Sequence, residues 1–166
     1  MRKNIVVLLL VLIFVSWNSP NSERLKNVRL TYTKALKSAK AINQLSRLSS
    51  AEETAIFLAY QGTSKALEAR NSNWPSTKIS LAKDAYALLN KAVTKDPNNY
   101  EVRFLRYSFE CETPAWLDLN AHIAKDERFL ISHAKKGLPI AGIMRAYFSK
   151  NQKLNPKEKQ KLLSRL

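Results

Sequence analysis

Apolar positions recur at helical spacing along most of this chain, and strictly alternating runs are absent. Leu25, Val28, Tyr32, Ala35, Ala39 and Ile42 follow one another at intervals of 3, 4, 3, 4 and 3 residues. That spacing keeps side chains on one face of a 3.6-residue turn and predicts an amphipathic helix running on to Arg47. Ser50 followed by Glu53 has the form of a capping box, which predicts a second helix from Ala51 to Arg70. Gly62 falls inside it, where a glycine costs about 1 kcal/mol relative to alanine, so close approach of a neighbouring helix is expected there. Asn71-Ser72-Asn73 ends that helix, and Trp74-Pro75 leads into a third with the stripe Ile79, Ala82, Tyr86, Leu89 and Val93.

Pro97 has no amide hydrogen and pushes Asp96 toward extended backbone, so the third helix ends near Lys95. Asn98 and Asn99 supply side-chain oxygens for the unpaired amides of a fourth helix, from about Asn99 to Glu112. Thr113-Pro114 opens a short helix through Trp116 and Leu117. A sixth helix is expected from near Ala121 to Lys136, and Gly137-Leu138-Pro139 breaks it. Ile140 to Lys150 forms a seventh. Asn155-Pro156, with Glu158 three residues after the cap, starts a last helix whose apolar groups are Leu162, Leu163 and Leu166. The pattern predicts an all-α fold of antiparallel helix hairpins, about six to eight helices after an N-terminal segment. Residues 23–166 form one domain, and three glycines in the whole chain agree with that class.

The stretch Ala85 to Pro97 also carries a resemblance. Ala85, Leu89, Ala92 and Pro97 stand at the spacing of the second helix of a tetratricopeptide repeat, and Asp96-Pro97-Asn98-Asn99 looks like its exit turn. Tyr60-Gln61-Gly62 is similar to the first-helix signature, with Lys65 where the family has Tyr, and no second copy follows at the family's period of about 34 residues. The longer series Ala59-Tyr60-Gln61-Gly62, Trp74-Pro75, Asp96-Pro97-Asn98-Asn99, Arg103-Phe104-Leu105-Arg106 and Thr113-Pro114 resembles a family of short exported bacterial helical proteins. These resemblances imply a stacked-hairpin fold and no reaction.

The N-terminus changes the expected compartment. Arg2 and Lys3 precede an unbroken apolar run from Ile5 to Val15, after which Ser16, Asn18, Ser19, Pro20 and Asn21 turn the chain polar. This is the order of a secretory signal, and residues 1–22 are read as a signal peptide or as an uncleaved anchor through residues 5–17. The eleven residues would cover roughly 16 Å as a helix, short of the ~30 Å hydrocarbon core. An exported protein, periplasmic or extracellular, is expected, with inner-membrane anchoring as the alternative. Cys111 is the single cysteine; no intrachain disulfide can form, and a small buried apolar group is expected there.

The formal charge of +15 is carried by the two ends of the chain. From Glu23 to Arg47 there are seven Lys and Arg against one acid, and from Arg145 onward seven against Glu158 alone. Between them the chain is nearly neutral. On the first helix Lys26, Arg29, Lys37, Lys40 and Arg47 fall in an arc of roughly 80° opposite the apolar seam. Lys26, Arg29, Lys37 and Lys40, with Arg103 and Arg106 among the aromatics of the fourth helix, are the candidate interaction residues. Their chemistry suits an anionic lipid headgroup, an envelope polymer or an acidic protein. For Arg103 and Arg106 the competing expectation is a core position, with the arginine stems packed over aromatic rings. Nucleic acid is disfavoured, since no zinc-finger spacing or RNA-binding aromatic motif is present.

Candidate chemistry is sparse. His122 and His133 are the only histidines, and no HExxH, CxxC or glycine-rich phosphate loop accompanies them. Asp118, His122 and Asp126 stand at i, i+4 and i+8, which on an unbroken helix makes a carboxylate–imidazole–carboxylate row, the one arrangement a hydrolase could use. No nucleophile or oxyanion donor is placed beside it. No cofactor is implied, and a non-enzymatic interaction or scaffold module is expected, with an unidentified protein partner. The alternative is a cationic adaptor for anionic membrane or envelope polymer.

Overall fold

The computed structural model describes residues 20–166. They form eight α-helices and one 3₁₀ turn, with no strand among the described residues: α1 (Pro20–Ala35), α2 (Ala39–Ser49), α3 (Ala55–Asn71), α4 (Pro75–Lys95), α5 (Tyr100–Glu112), the 3₁₀ turn Ala115–Leu117, α6 (Ile123–His133), α7 (Ala141–Lys150) and α8 (Pro156–Arg165). The expected all-α class is what is found. The stretch read as a signal or anchor, 1–22, lies outside the described residues except for its last three, which belong to the first turn of α1. Among the described residues no helix is long and apolar enough to cross a membrane.

Several boundaries follow from local chemistry. Pro75 occupies the first turn of α4, where its missing N–H is not needed. The helix ends at Lys95, ahead of Asp96-Pro97. Asn99 caps α5 by accepting from the Val102 amide at 3.2 Å, and Asn155 caps α8 by accepting from the Lys157 amide at 2.9 Å.

Some expected boundaries are corrected: α6 ends at His133, short of the expected Lys136, with Ala134 already extended, and two further differences have a visible cause. The single helix from Leu25 to Arg47 is two helices, with Ser38 in extended backbone between them (φ −142°, ψ 120°). The break lets α2 turn Ala41, Ile42 and Leu45 inward, while Ala39, expected on the seam, is exposed. Arg70 stabilises it by donating to the Leu36 carbonyl at 3.1 Å, one of the groups left open at the end of α1. The second difference concerns the capping box. Ser50 closes α2 instead, its amide on the Ser46 carbonyl and its hydroxyl on that of Arg47, and α3 begins later, behind Thr54.

α3 and α4 form an antiparallel hairpin at the centre. Lys95 at the end of α4 donates to the Glu53 carbonyl just before α3, while Gly62, in mid-helix, faces the Ala85–Leu89 segment. A Cβ built on Gly62 would stand 2.8 Å from the Leu89 Cγ and 3.0 Å from the Ala85 carbonyl oxygen, so the glycine is what lets the two helices close. Leu89, Ala85 and Ala92 are fully buried there. α5 and α6 form a second antiparallel pair: Tyr100 bonds the Leu130 carbonyl at one end and Glu110 meets His122 at the other. α3 and α5 run through the middle, which is why Phe57 to Tyr60 and Tyr100 to Tyr107 are buried in unbroken runs. Cys111 packs as a small apolar group, as expected, and burial pushes its thiol pKa up. The last helix docks through Leu162 and Leu166, both buried.

A candidate ligand groove beside a buried charge network

α5 carries four charged side chains into the interior: Glu101, Arg103, Arg106 and Glu110 are all buried. Such groups are tolerated only when paired and hydrogen-bonded, and each one is. Arg29 of α1 reaches Glu101 with Nη2 to Oε2 at 2.6 Å, and the Tyr60 hydroxyl donates to the same carboxylate. Burial opposes the Arg29 charge, but the Glu101 hydrogen bonds and charge outweigh it and hold the guanidinium above its ordinary pKa. Burial, with the Glu101 charge and hydrogen bond, drives the Tyr60 phenol well above its usual range.

Arg103 and Arg106 converge on Asp126 of α6. Arg103 Nη1 lies 2.6 Å from Oδ1, and the Arg103 guanidinium stacks over Phe129, 4.8 Å from the ring centroid. Arg106 takes both carboxylate oxygens and also donates to Asn90 Oδ1 at 3.0 Å. Glu110, fully buried, accepts from the His122 amide at 2.7 Å and bonds His122 Nδ1 at 2.8 Å.

The sequence-derived candidates are therefore dispersed. Arg103 and Arg106 do not line a surface; they sit at the core position that was their competing reading. Arg29 does not share an outer stripe with Lys26, Lys37 and Lys40, because it points into the Glu101 pair. Lys26 is exposed beside Glu23 at 3.8 Å, Lys37 lies in the turn between α1 and α2, and Lys40 in the first turn of α2; both are exposed. The Asp118–His122–Asp126 row does not form. Asp118 stands in left-handed backbone (φ 54°) after the 3₁₀ turn, His122 bonds Glu110, and Asp126 is taken by the two arginines. Among the described residues no group of three His, Cys, Asp or Glu side chains could hold a metal ion.

The cavity that remains is one the sequence did not disclose. A half-enclosed groove of about 630 Å³ is bounded by α1, α3, α4, α5, the 3₁₀ turn and Tyr147 of α7. Its floor is made by the buried members of that wall, among them Tyr32, Leu67, Ala69, Ala82 and Leu105. Three hydroxyls in the wall are turned onto carbonyls of their own helices: Thr63 to Ala59 at 2.8 Å, Ser108 to Leu105 at 3.0 Å and Thr113 to Phe109 at 2.8 Å. The groove is consequently more apolar than its residue types suggest. At its rim stand the exposed Arg70, Lys78, Glu112 and Trp116. The Tyr147 hydroxyl, buried, has no hydrogen-bond partner among the described residues. A second hollow of about 550 Å³, lined by Glu52, Glu53, Lys95 and Asp96, lies beside the turn before α3. Glu52 and Glu53 are engaged by Arg24 and Lys91, and Asp96 accepts from the Asn99 side chain at 3.0 Å.

Its traces in the sequence are slight: the small residues Ala66 and Ala69 on α3 and Ala82 on α4, and Trp116 after Thr113-Pro114. Comparison of the chain with protein-family models, curated proteins and solved structures gives no match.

Proposed function

We propose that the protein is a non-enzymatic interaction module of the cell envelope that seats its partner in the groove between α3, α4 and α5. The observation that carries this reading is the groove itself: about 630 Å³, within the range of about 300–1,000 Å³ typical of ligand sites, with an apolar floor and a few polar groups at its mouth. The buried charges, by contrast, are consumed in fixing α1, α5 and α6 against one another. Export is supported by Arg2 and Lys3 ahead of the Ile5–Val15 run. A stacked-hairpin plan like that of tetratricopeptide repeats is supported by the pairing of α1 with α2, α3 with α4 and α5 with α6. The first helices of successive pairs also touch, α1 on α3 and α3 on α5.

The test is titration of the full chain with a naphthalene-sulfonate dye that fluoresces in apolar surroundings. Saturable binding is expected, weakened about tenfold or more by Ala66→Trp, which places an indole in the groove from a half-buried wall position. Unchanged dye binding in that variant, with its helical circular dichroism intact, would remove the groove as the binding face.

A second reading, a cationic adaptor on anionic membrane or envelope polymer, draws on Lys37 and Lys40, exposed side by side at the α1–α2 turn. It requires binding to anionic vesicles that weakens with salt and with Lys26→Gln, Lys37→Gln and Lys40→Gln. Arg29, being paired inside, does not belong in that test.

A further inference from the structure

Taking the groove as the binding face, we propose that its occupant is a single-chain alkyl carboxylate, the tail lying on the apolar floor and the carboxylate meeting Arg70 and Lys78. The rim carries the charge pattern for a monoanion. Arg70, at the end of α3, spends one N–H on the Leu36 carbonyl at 3.1 Å and keeps its other donors for a ligand. Lys78, in the first turn of α4, is exposed and pairs with no acid among the described residues. The one acid on the rim is Glu112. Two cations and one carboxylate leave a single positive charge, which one carboxylate neutralises and which a doubly charged phosphate monoester would overshoot.

The interior agrees with an alkyl tail. Thr63, Ser108 and Thr113 present methyl and methylene groups because their hydroxyls are satisfied within their own helices. A hydrocarbon that covers these three side chains strips no unmet hydroxyl of its water. Walls on several sides suit a chain of small cross-section better than a helix, which is about 10–12 Å across with its side chains. Trp116, 72% exposed, stands at the mouth, where an indole covers an apolar chain and still meets water.

The experiment is calorimetric titration of the full chain with decanoate, decanol and decyltrimethylammonium, each below the concentration at which it aggregates. Decanoate is expected to bind one to one, about tenfold more tightly than decanol, with the cationic amphiphile weakest, in line with a charge-assisted pair. Lys78→Gln, on an exposed side chain that makes no hydrogen bond or ion pair among the described residues, should reduce that advantage severalfold. Arg70→Gln combined with it should abolish the advantage, whereas Ala66→Trp should lower the affinity for both decanoate and decanol. Equal affinity for decanol and decanoate, or an undiminished preference in Lys78→Gln and in the double variant, overturns the proposal. So does a dimer in sedimentation that Ala66→Trp dissociates, since a second copy would then fill the groove. An acidic amphipathic peptide that displaces the naphthalene-sulfonate dye where decanoate does not would likewise replace the alkyl carboxylate with a protein partner. Dye binding lost in Ala66→Trp but undisturbed by decanoate refutes only the carboxylate; dye binding indifferent to Ala66→Trp refutes the groove.

Discussion

Arg106 holds Asp126 through two N–H···O bonds, Nε to Oδ2 at 2.7 Å and Nη2 to Oδ1 at 2.8 Å, across the contact between α5 and α6. With Arg103 on the same carboxylate, one buried acid compensates two buried guanidinium groups. Asp126→Ala leaves both uncompensated and is expected to destabilise the fold by about 3–5 kcal/mol, as for other broken buried pairs. Urea unfolding checks this through the midpoint at unchanged slope. A loss below about 1 kcal/mol, the range of exposed pairs, would mean that solvent reaches the site.

Arg29 and the exposed lysines separate by consequence. Arg29→Met strands Glu101, which is 3% exposed, beside the Tyr60 hydroxyl. A destabilisation of several kcal/mol, on the order of 3, is expected, again because a buried carboxylate loses its partner. Lys26→Gln, Lys37→Gln and Lys40→Gln should each stay within about 0.5 kcal/mol of the parent. Thermal midpoints of the four variants, compared side by side, decide the matter; a lysine variant as damaging as Arg29→Met would contradict it.

Two glycine substitutions should act with opposite sign. Alanine at Gly62 gains helix propensity but drives its Cβ to 2.8 Å from the Leu89 Cγ and 3.0 Å from backbone at Ala85. Overpacking of that kind costs typically about 1–3 kcal/mol and should prevail. At Gly142, inside α7, an added Cβ meets nothing within 4 Å, so Gly142→Ala should stabilise by up to about 1 kcal/mol. Equilibrium unfolding of the pair tests the α3–α4 approach directly, since equal effects are incompatible with it.

Alkaline pH should unfold the protein steeply. Tyr32, Tyr60, Tyr100 and Tyr107 are buried, and burial raises the phenol pKa of each above the ordinary value of 10.0. The folded state therefore holds these protons more tightly than the unfolded one. Their contribution is whole below pH 10 and is lost as pH climbs from there toward the folded values, at up to about 1.4 kcal/mol per pH unit for each tyrosine. Tyrosinate absorbance and helical circular dichroism should change together above pH 10. Ionisation of most tyrosines before any loss of helix would show that they are open to water.

The helix boundaries set by backbone chemistry were legible from residue types: Pro75 at the start of α4, Asp96-Pro97 at its end, and the caps Asn99 and Asn155 act through their own peptide groups. Boundaries decided by partners elsewhere in the fold were not. Ser50 and Glu53 have the spacing of a capping box, yet Ser50 bonds backward into α2 and Glu53 pairs with Lys91 at 3.7 Å. The seam from Leu25 to Ile42 is continuous in sequence because α1 and α2 both turn apolar residues inward; the stabilising contact at the break comes from Arg70, far along the chain. For the same reason Asp126 looked like part of a polar row with His122, while its partners lie on α5. The groove left still less trace in the sequence, since its wall is assembled from several elements and no single period runs through it.

Cys111, buried in α5 and the only cysteine of the chain, makes the protein its own opening clock. An alkylating reagent in solution needs a thiolate it can reach, and here both the raised pKa and the surrounding side chains withhold one. Modification then proceeds only as fast as α5 parts from its neighbours. The time course of single-site labelling thus reports how often the interior breathes, and any occupant of the neighbouring groove that clamps α5 would register as a slower tick.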